Sequence, residues 1–158
     1  RELNMPLVGV VMGSKSDTEA LKPALEILEQ LGIDYEVNVI SAHRTPEKAR
    51  QYGLTAHERG IEVIIAAAGG AAHLPGVLAS WSVLPVIGVP LVSGELKGVD
   101  ALYSIVQMPA GIPVACMAVG TAGAKNAAYL AAEILGIKHE SIGKAYEQYR
   151  RDLQGESK

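Results

Sequence analysis

The sequence is poor in cysteine and in aromatic residues. Of its 158 residues only one is Cys (Cys116), none is Phe, and aromatic residues make up 4% of the chain. A lone cysteine excludes an intrachain disulfide, so we predict a reducing, cytoplasmic location and a buried position for Cys116 in an apolar run. Because aromatic rings are scarce, the core must consist of Val, Ile, Leu and Ala, which suits parallel strands covered on both faces.

Long hydrophobic runs and an excess of positive charge are also absent. No apolar segment approaches the roughly 20 residues that cross a bilayer, and residues 1–4 lack the pattern of a signal peptide. A formal net charge of −3 argues against nucleic-acid binding. We therefore expect no membrane and no nucleic-acid partner, and we predict a single folded domain over residues 1–158 whose last residues, 154–158, form a frayed tail.

Apolar runs of strand length alternate with helix-like segments along the chain. Strands are predicted at residues 7–12, 35–40, 63–67, 85–89 and 113–119. Helices are predicted at residues 18–31, 46–59, 100–107, 122–135 and 138–153, with a further short helix after Gly76. This alternation is typical of a parallel sheet with crossover helices. The predicted fold class is therefore α/β, a three-layer sandwich with a five-stranded parallel sheet, flavodoxin-like or Rossmann-like, plus a C-terminal helix.

The loop after the first strand, residues 13–17, reads Gly-Ser-Lys-Ser-Asp. It leads into a helix N-terminus, where free backbone N–H groups and the helix dipole favour an anion such as phosphate. Taken alone, Ser14 and Asp17 are explained better as helix caps than as ligand groups. A third interpretation has Asp17 accept hydrogen bonds from sugar hydroxyls, as acids do in nucleotide sites.

The loop after the second strand, residues 41–46, reads Ser-Ala-His-Arg-Thr-Pro. Thr45 followed by Pro46 and an acid predicts a helix start with Thr45 as its cap. Arg44 offers a planar charged fork for phosphate or carboxylate, and His43 offers an imidazole that exchanges protons near neutral pH. The alternative is a local hydrogen bond for His43 and a surface ion pair for Arg44.

The loop after the third strand contains Gly69, Gly70 and His73 and lies before a further helix. Glycines let the backbone approach a planar ligand closely. His73 taken alone is explained better by a structural role than by a catalytic one. The carboxyl ends of parallel strands meet at one edge of the sheet, so the three loops are predicted to form one ligand site there.

Several mechanisms are disfavoured. No His, Cys or Asp cluster has the spacing of metal ligands, and no Gly-x-Ser-x-Gly elbow is present. We therefore predict no metal and no covalent nucleophile.

Four segments together resemble one enzyme family, the class I N5-carboxyaminoimidazole ribonucleotide mutases of purine biosynthesis. They are residues 13–17, 41–46, 68–76 and 104–109, and the resemblance extends over about residues 7–135. It implies a metal-free, cofactor-free isomerase that moves a carboxylate from the exocyclic nitrogen of an aminoimidazole ribonucleotide to ring carbon four. It also implies a homo-octamer with active sites at subunit interfaces.

The same resemblance assigns roles to residues. It implies that His43 is the general acid and base in both proton transfers, and it gives two groups of substrate-binding positions. Ser14, Asp17 and Arg44 match positions that hold the ribose phosphate. The positions that line the base and carboxylate pocket are matched by Ser41, Gly69, Gly70, His73 and Leu74.

Two other functions remain as alternatives. The first is direct carboxylation of aminoimidazole ribonucleotide by carbon dioxide, as in the class II relatives, although Arg44 and the intact glycine-rich loop resemble class I. The second is a nucleotide-binding regulatory module, because a fold does not determine a function.

Overall fold

The computed structural model of the protein describes residues 5–155. The predictions about residues 1–4 and about the end of the tail, residues 156–158, lie outside that range, and the single-domain assignment stays a prediction. Five parallel strands form one sheet in the order β2-β1-β3-β4-β5. They are β1 Val8–Met12, β2 Tyr35–Val39, β3 Val63–Gly69, β4 Val86–Leu91 and β5 Ala115–Cys116.

Six α-helices connect and follow the strands. They are α1 Thr18–Gln30, α2 Pro46–Thr55, α3 Leu74–Trp81, α4 Val99–Val106, α5 Thr121–Gly136 and α6 Glu140–Leu153. Short 3-10 helices occupy Lys15–Asp17 and His57–Arg59. The predicted three-layer α/β sandwich with a C-terminal helix is thereby confirmed.

Each face of the sheet carries its own apolar cluster. On one face Val8, Val10 and Met12 of β1 pack with residues of α1, α5 and α6. On the other face Val11 of β1 packs with residues of α2, α3 and α4. Side chains of a strand alternate between faces, so a central strand buried on both sides must be apolar throughout.

The structure corrects four details of the prediction. Strand β5 is shorter than predicted and pairs with β4 only over Ala115–Cys116, and Pro113 within the predicted strand has no N–H to donate to a ladder. The predicted helix 46–59 breaks into α2 and a 3-10 turn that ends at Gly60, whose φ is +89°. Helix α3 begins at Leu74, before Gly76, and α6 begins at Glu140.

Cys116 is half-buried and not fully buried as predicted. It lies on the short edge strand β5, and its Sγ is 3.5 Å from the Met117 carbonyl oxygen. Burial raises the pKa of the Cys116 thiol above its ordinary value of 9.0. The side chain is therefore a neutral thiol at physiological pH.

The strand order determines where a crevice opens at the carboxyl ends of the strands. From β1 the chain first moves outward to β2 and then crosses back to β3 on the other side of β1. Order therefore reverses between β1 and β3, and the loops that follow these two strands flank a crevice at their carboxyl ends. No helix among residues 5–155 is long and apolar enough to cross a membrane.

Candidate functional site

A cavity of about 310 Å³ lies at the carboxyl edge of the sheet. Its walls come from the loops after β1, β2 and β3 and from Ser93 after β4. Eight of the nine predicted site residues line it, namely Ser14, Asp17, Ser41, His43, Arg44, Gly69, His73 and Leu74. A volume of this size is in the range that binds small ligands.

The loop after β1 is organised by Ser14 and Asp17. Ser14 Oγ accepts a hydrogen bond from the Ser16 N–H at 3.3 Å, and Asp17 Oδ2 accepts one from the Ser14 N–H at 3.0 Å. Burial raises the pKa of the Asp17 carboxyl above its ordinary 3.8, and the bond from Ser14 lowers it by less. Both residues therefore make the contacts of a helix cap and still line the cavity.

The loop after β2 is closed by Ser41 and Thr45. The Thr45 hydroxyl donates to the Ser41 carbonyl oxygen at 2.9 Å and accepts from the Ser41 N–H at 3.2 Å. Ser41 Oγ accepts from the Arg44 N–H at 3.1 Å. Thr45 stands at the N-cap of α2, as predicted, but its side chain makes no cap hydrogen bond. Its hydroxyl instead fixes the loop that presents His43 and Arg44.

The Arg44 side chain is exposed at the cavity wall. Among residues 5–155 no carboxylate lies within ion-pair distance of its guanidinium, and no hydrogen bond to the guanidinium is found. The surface ion pair considered from the sequence is therefore not formed with any residue that the structure describes. An uncompensated planar cation in a concave site is suited to binding an anion.

The loop after β3 brings a second histidine to the first. The Ala72 N–H donates to the Gly70 carbonyl oxygen at 2.8 Å, and α3 begins directly after His73. His73 Nδ1 lies 2.8 Å from His43 Nε2, with the two rings edge to face at 81° and their centroids 4.9 Å apart. The two imidazoles thus form one hydrogen-bonded pair within the cavity wall.

Gly69 and Gly70 each allow a backbone arrangement that a side chain would hinder. Gly70 has a φ of +61° and is not among the cavity-lining residues, so its contribution is the turn itself. A Cβ at Gly69 would lie 2.6 Å from Ser93 Oγ and 3.3 Å from the Leu91 carbonyl oxygen. The missing side chain at Gly69 therefore admits the β4–α4 loop, a reason different from the predicted approach to a planar ligand.

The sequence interpretation missed six residues of the wall. They are Gly13, Ser16, Ala42, Ala68, Ala71 and Ser93. Ser93 follows β4 at the same edge as the other loops, and this position is the signal that could have identified it. Among residues 5–155 no group of three or more His, Cys, Asp or Glu side chains is placed to hold a metal ion.

Fold and cavity together define a doubly wound α/β protein with a small-molecule site at the switch point of its sheet. The sequence profile described as AIR carboxylase matches residues 7–156, and the chain belongs to that family.

The similar proteins carry one recurring name. A protein of Pyrococcus abyssi named N5-carboxyaminoimidazole ribonucleotide mutase is 59% identical over 97% of this chain and 87% of its own length. A protein of Pseudomonas aeruginosa with the same name is 60% identical over 91% of this chain and 88% of its own length. The crystal structure of Treponema denticola PurE superposes with a TM-score of 0.84 at 30% identity, covering 95% of this chain and 92% of that one.

Proposed function

We propose that this chain is an N5-carboxyaminoimidazole ribonucleotide mutase of purine biosynthesis that needs no metal or cofactor. The observation that carries the proposal is one cavity containing an imidazole, His43, and a guanidinium, Arg44, that has no ion-pair partner among residues 5–155. The names of relatives 59% and 60% identical to the chain support the same reaction. Direct carboxylation by carbon dioxide is the alternative, and these names do not favour it.

The charges of the cavity suit an anionic nucleotide. Asp17 is the one carboxylate among the lining residues, which also include Arg44 and two histidines. Arg44 and the Ser14–Asp17 turn bind the ribose phosphate and ribose in this proposal, since within the described part of the chain the guanidinium has no ion-pair partner to give up. The base and carboxylate then lie against Ser41, Gly69, His73 and Leu74, beside the turn at Gly70.

One histidine balances the protons of the reaction. Protonated His43 gives its proton to the carbamate nitrogen, the bond from that nitrogen to the carboxyl carbon breaks, and carbon dioxide is released inside the cavity. Ring carbon four then attacks the carbon dioxide, forming the new carbon–carbon bond, and neutral His43 removes the hydrogen from that ring carbon as a proton. Each step leaves His43 in the form that the next step requires.

A spectroscopic assay tests the proposal directly. The purified chain is mixed with N5-carboxyaminoimidazole ribonucleotide, a chelator and no nucleoside triphosphate, and formation of the ring-carboxylated nucleotide is followed. A mutase retains most of the substrate's own carboxylate when labelled bicarbonate is present. Full exchange with bicarbonate identifies a direct carboxylase, and binding without turnover identifies a regulatory module.

Replacing Arg44 with Met tests the phosphate contact. Loss of a charge-assisted hydrogen bond of about 1.5–3 kcal/mol should raise KM about 10- to 100-fold and change kcat less. The matched control is Arg50→Met, because Arg50 pairs with Glu47 at 3.0 Å and does not line the cavity. Steady-state kinetics of both variants decide the point, and equal KM values for the two would contradict the assignment.

The exposed side of α4 supports the assembly of several copies, which we propose to be a homo-octamer in the cytoplasm. Val99, Tyr103 and Val106 lie on one side of α4 and are 48%, 68% and 45% exposed, while Ala101 and Ile105 are buried beneath the helix. Apolar side chains exposed together on one side of a helix mark a surface that a partner covers. Ser93, in the loop before α4, lines the cavity.

Replacing Tyr103 with Glu is expected to dissociate the assembly. A charge buried without a partner in an interface is strongly unfavourable. It therefore shifts the equilibrium from the oligomer toward separate subunits. The mass measured by light scattering at micromolar concentration should fall by at least half. Lys125→Glu on the exposed side of α5 is the control and should leave the mass unchanged.

A further inference from the structure

The contact between His43 and His73 places a constraint on protons that neither residue imposes alone. His43 Nε2 and His73 Nδ1 are 2.8 Å apart, which is a full hydrogen bond. Within residues 5–155, no other side-chain hydrogen bond of either ring is found. The His73 backbone is fixed, since its N–H donates to the Ala71 carbonyl oxygen at 2.7 Å and its own carbonyl oxygen accepts from the Val77 N–H at 2.9 Å.

A hydrogen bond between two imidazole nitrogens holds one proton. If His43 carries N–H on Nε2, His73 must present an unprotonated Nδ1, and the reverse arrangement requires an unprotonated Nε2 on His43. Two protonated rings would direct N–H against N–H and break the contact. The pair therefore takes up one extra proton while its geometry is kept.

The protonation cycle selects between the two arrangements. Protonated His43 has N–H on both ring nitrogens, so its Nε2–H can only donate to His73 Nδ1. When His43 then gives up a proton, the contact survives only if that proton leaves from Nδ1. The reverse arrangement would require both rings to change tautomer in every turnover.

We infer that His73 is a positioning residue, which accepts the hydrogen bond of His43 Nε2–H and thereby reserves His43 Nδ1 for exchanging the proton with the substrate. This inference rests on the proposed mutase function. The neighbouring charged groups of the cavity are Arg44, on the loop of His43, and Asp17, after β1. A second proton on the pair would add positive charge beside Arg44 and break the contact.

Two variants separate positioning from a structural role. His73→Leu removes the acceptor and should lower kcat about 10- to 100-fold with KM changed less than about threefold. His73→Asn keeps an oxygen acceptor near the position of Nδ1 and should recover most of kcat. Circular dichroism and light scattering confirm that both variants are folded and assembled.

A tautomer measurement on the wild type gives a readout independent of turnover. In chain labelled with ¹⁵N-histidine, two-bond nitrogen–proton couplings should show neutral His43 with its proton on Nε2. A proton on Nδ1 overturns the inference even if the enzyme is active, and so does His73→Leu with wild-type kcat and pH profile. A wild-type chain that converts no substrate refutes the proposed function, and the tautomer still decides the arrangement of the pair.

Discussion

The His43→Asn variant is expected to lose at least about 10³-fold in kcat. A positioned acid or base contributes about 10²- to 10⁴-fold to a proton transfer, and His43 serves both transfers of the proposed cycle. Asparagine is similar in reach to the Nδ1 side of the ring but cannot carry a proton. Stopped assays that separate the two carboxylated nucleotides measure the loss, and calorimetry with aminoimidazole ribonucleotide should show that binding persists.

His57→Asn provides the matched control for this variant. His57 lies in the 3-10 helix His57–Arg59, is exposed, and is not part of the cavity wall. Its replacement should leave kcat within a factor of two of the wild type. Full activity in His43→Asn would remove His43 from the mechanism, and equal losses in both variants would indicate damage to the fold.

The convergence of the loops after β1, β2 and β3 could be predicted because parallel topology is a local consequence of alternating strands and helices. Each of these strands ends in a short loop, and a parallel sheet places all such ends at one edge. The residues at which the strands begin and end were less predictable. The apolar run 113–119 has the composition of a strand, yet only Ala115–Cys116 pairs with β4, because register and edge position depend on contacts distant in sequence.

The finer arrangement of the site depends on distances that no local pattern contains. The contact of His43 with His73 joins residues 30 positions apart, and it requires the register of β1 with both β2 and β3. Taken alone, His73 is better explained by a structural role. The place of Ser93 after β4 could have identified it as a wall residue, but its close fit against Gly69 depends on the pairing of β3 with β4.

Gly123→Ala is expected to destabilise the protein by about 3 kcal/mol or more. Gly123 lies in the first turn of α5, and a Cβ there would overlap the Ala118 carbonyl oxygen and lie 2.6 Å from the Ala118 carbonyl carbon. These are backbone atoms, so no side-chain rotation can relieve the overlap. The bend before α5 is also held to β4, since the Gly120 N–H donates to the Pro90 carbonyl oxygen at 2.8 Å.

Helix propensity alone predicts that Gly123→Ala raises the stability of the protein. The sign of the measured change in the free energy of unfolding therefore distinguishes the two explanations. Alanine is favoured over glycine in a helix interior by about 1 kcal/mol, so an unobstructed Gly123→Ala change would stabilise α5. Asn126→Ala, at an exposed position of the same helix, isolates that propensity and should raise stability slightly. Chemical unfolding at one fixed chain concentration compares the two variants. A stabilised Gly123→Ala variant would show that α5 can move away from Ala118. A decrease of about 3 kcal/mol in the free energy of unfolding would show that α5 can approach Ala118 this closely only with glycine at position 123.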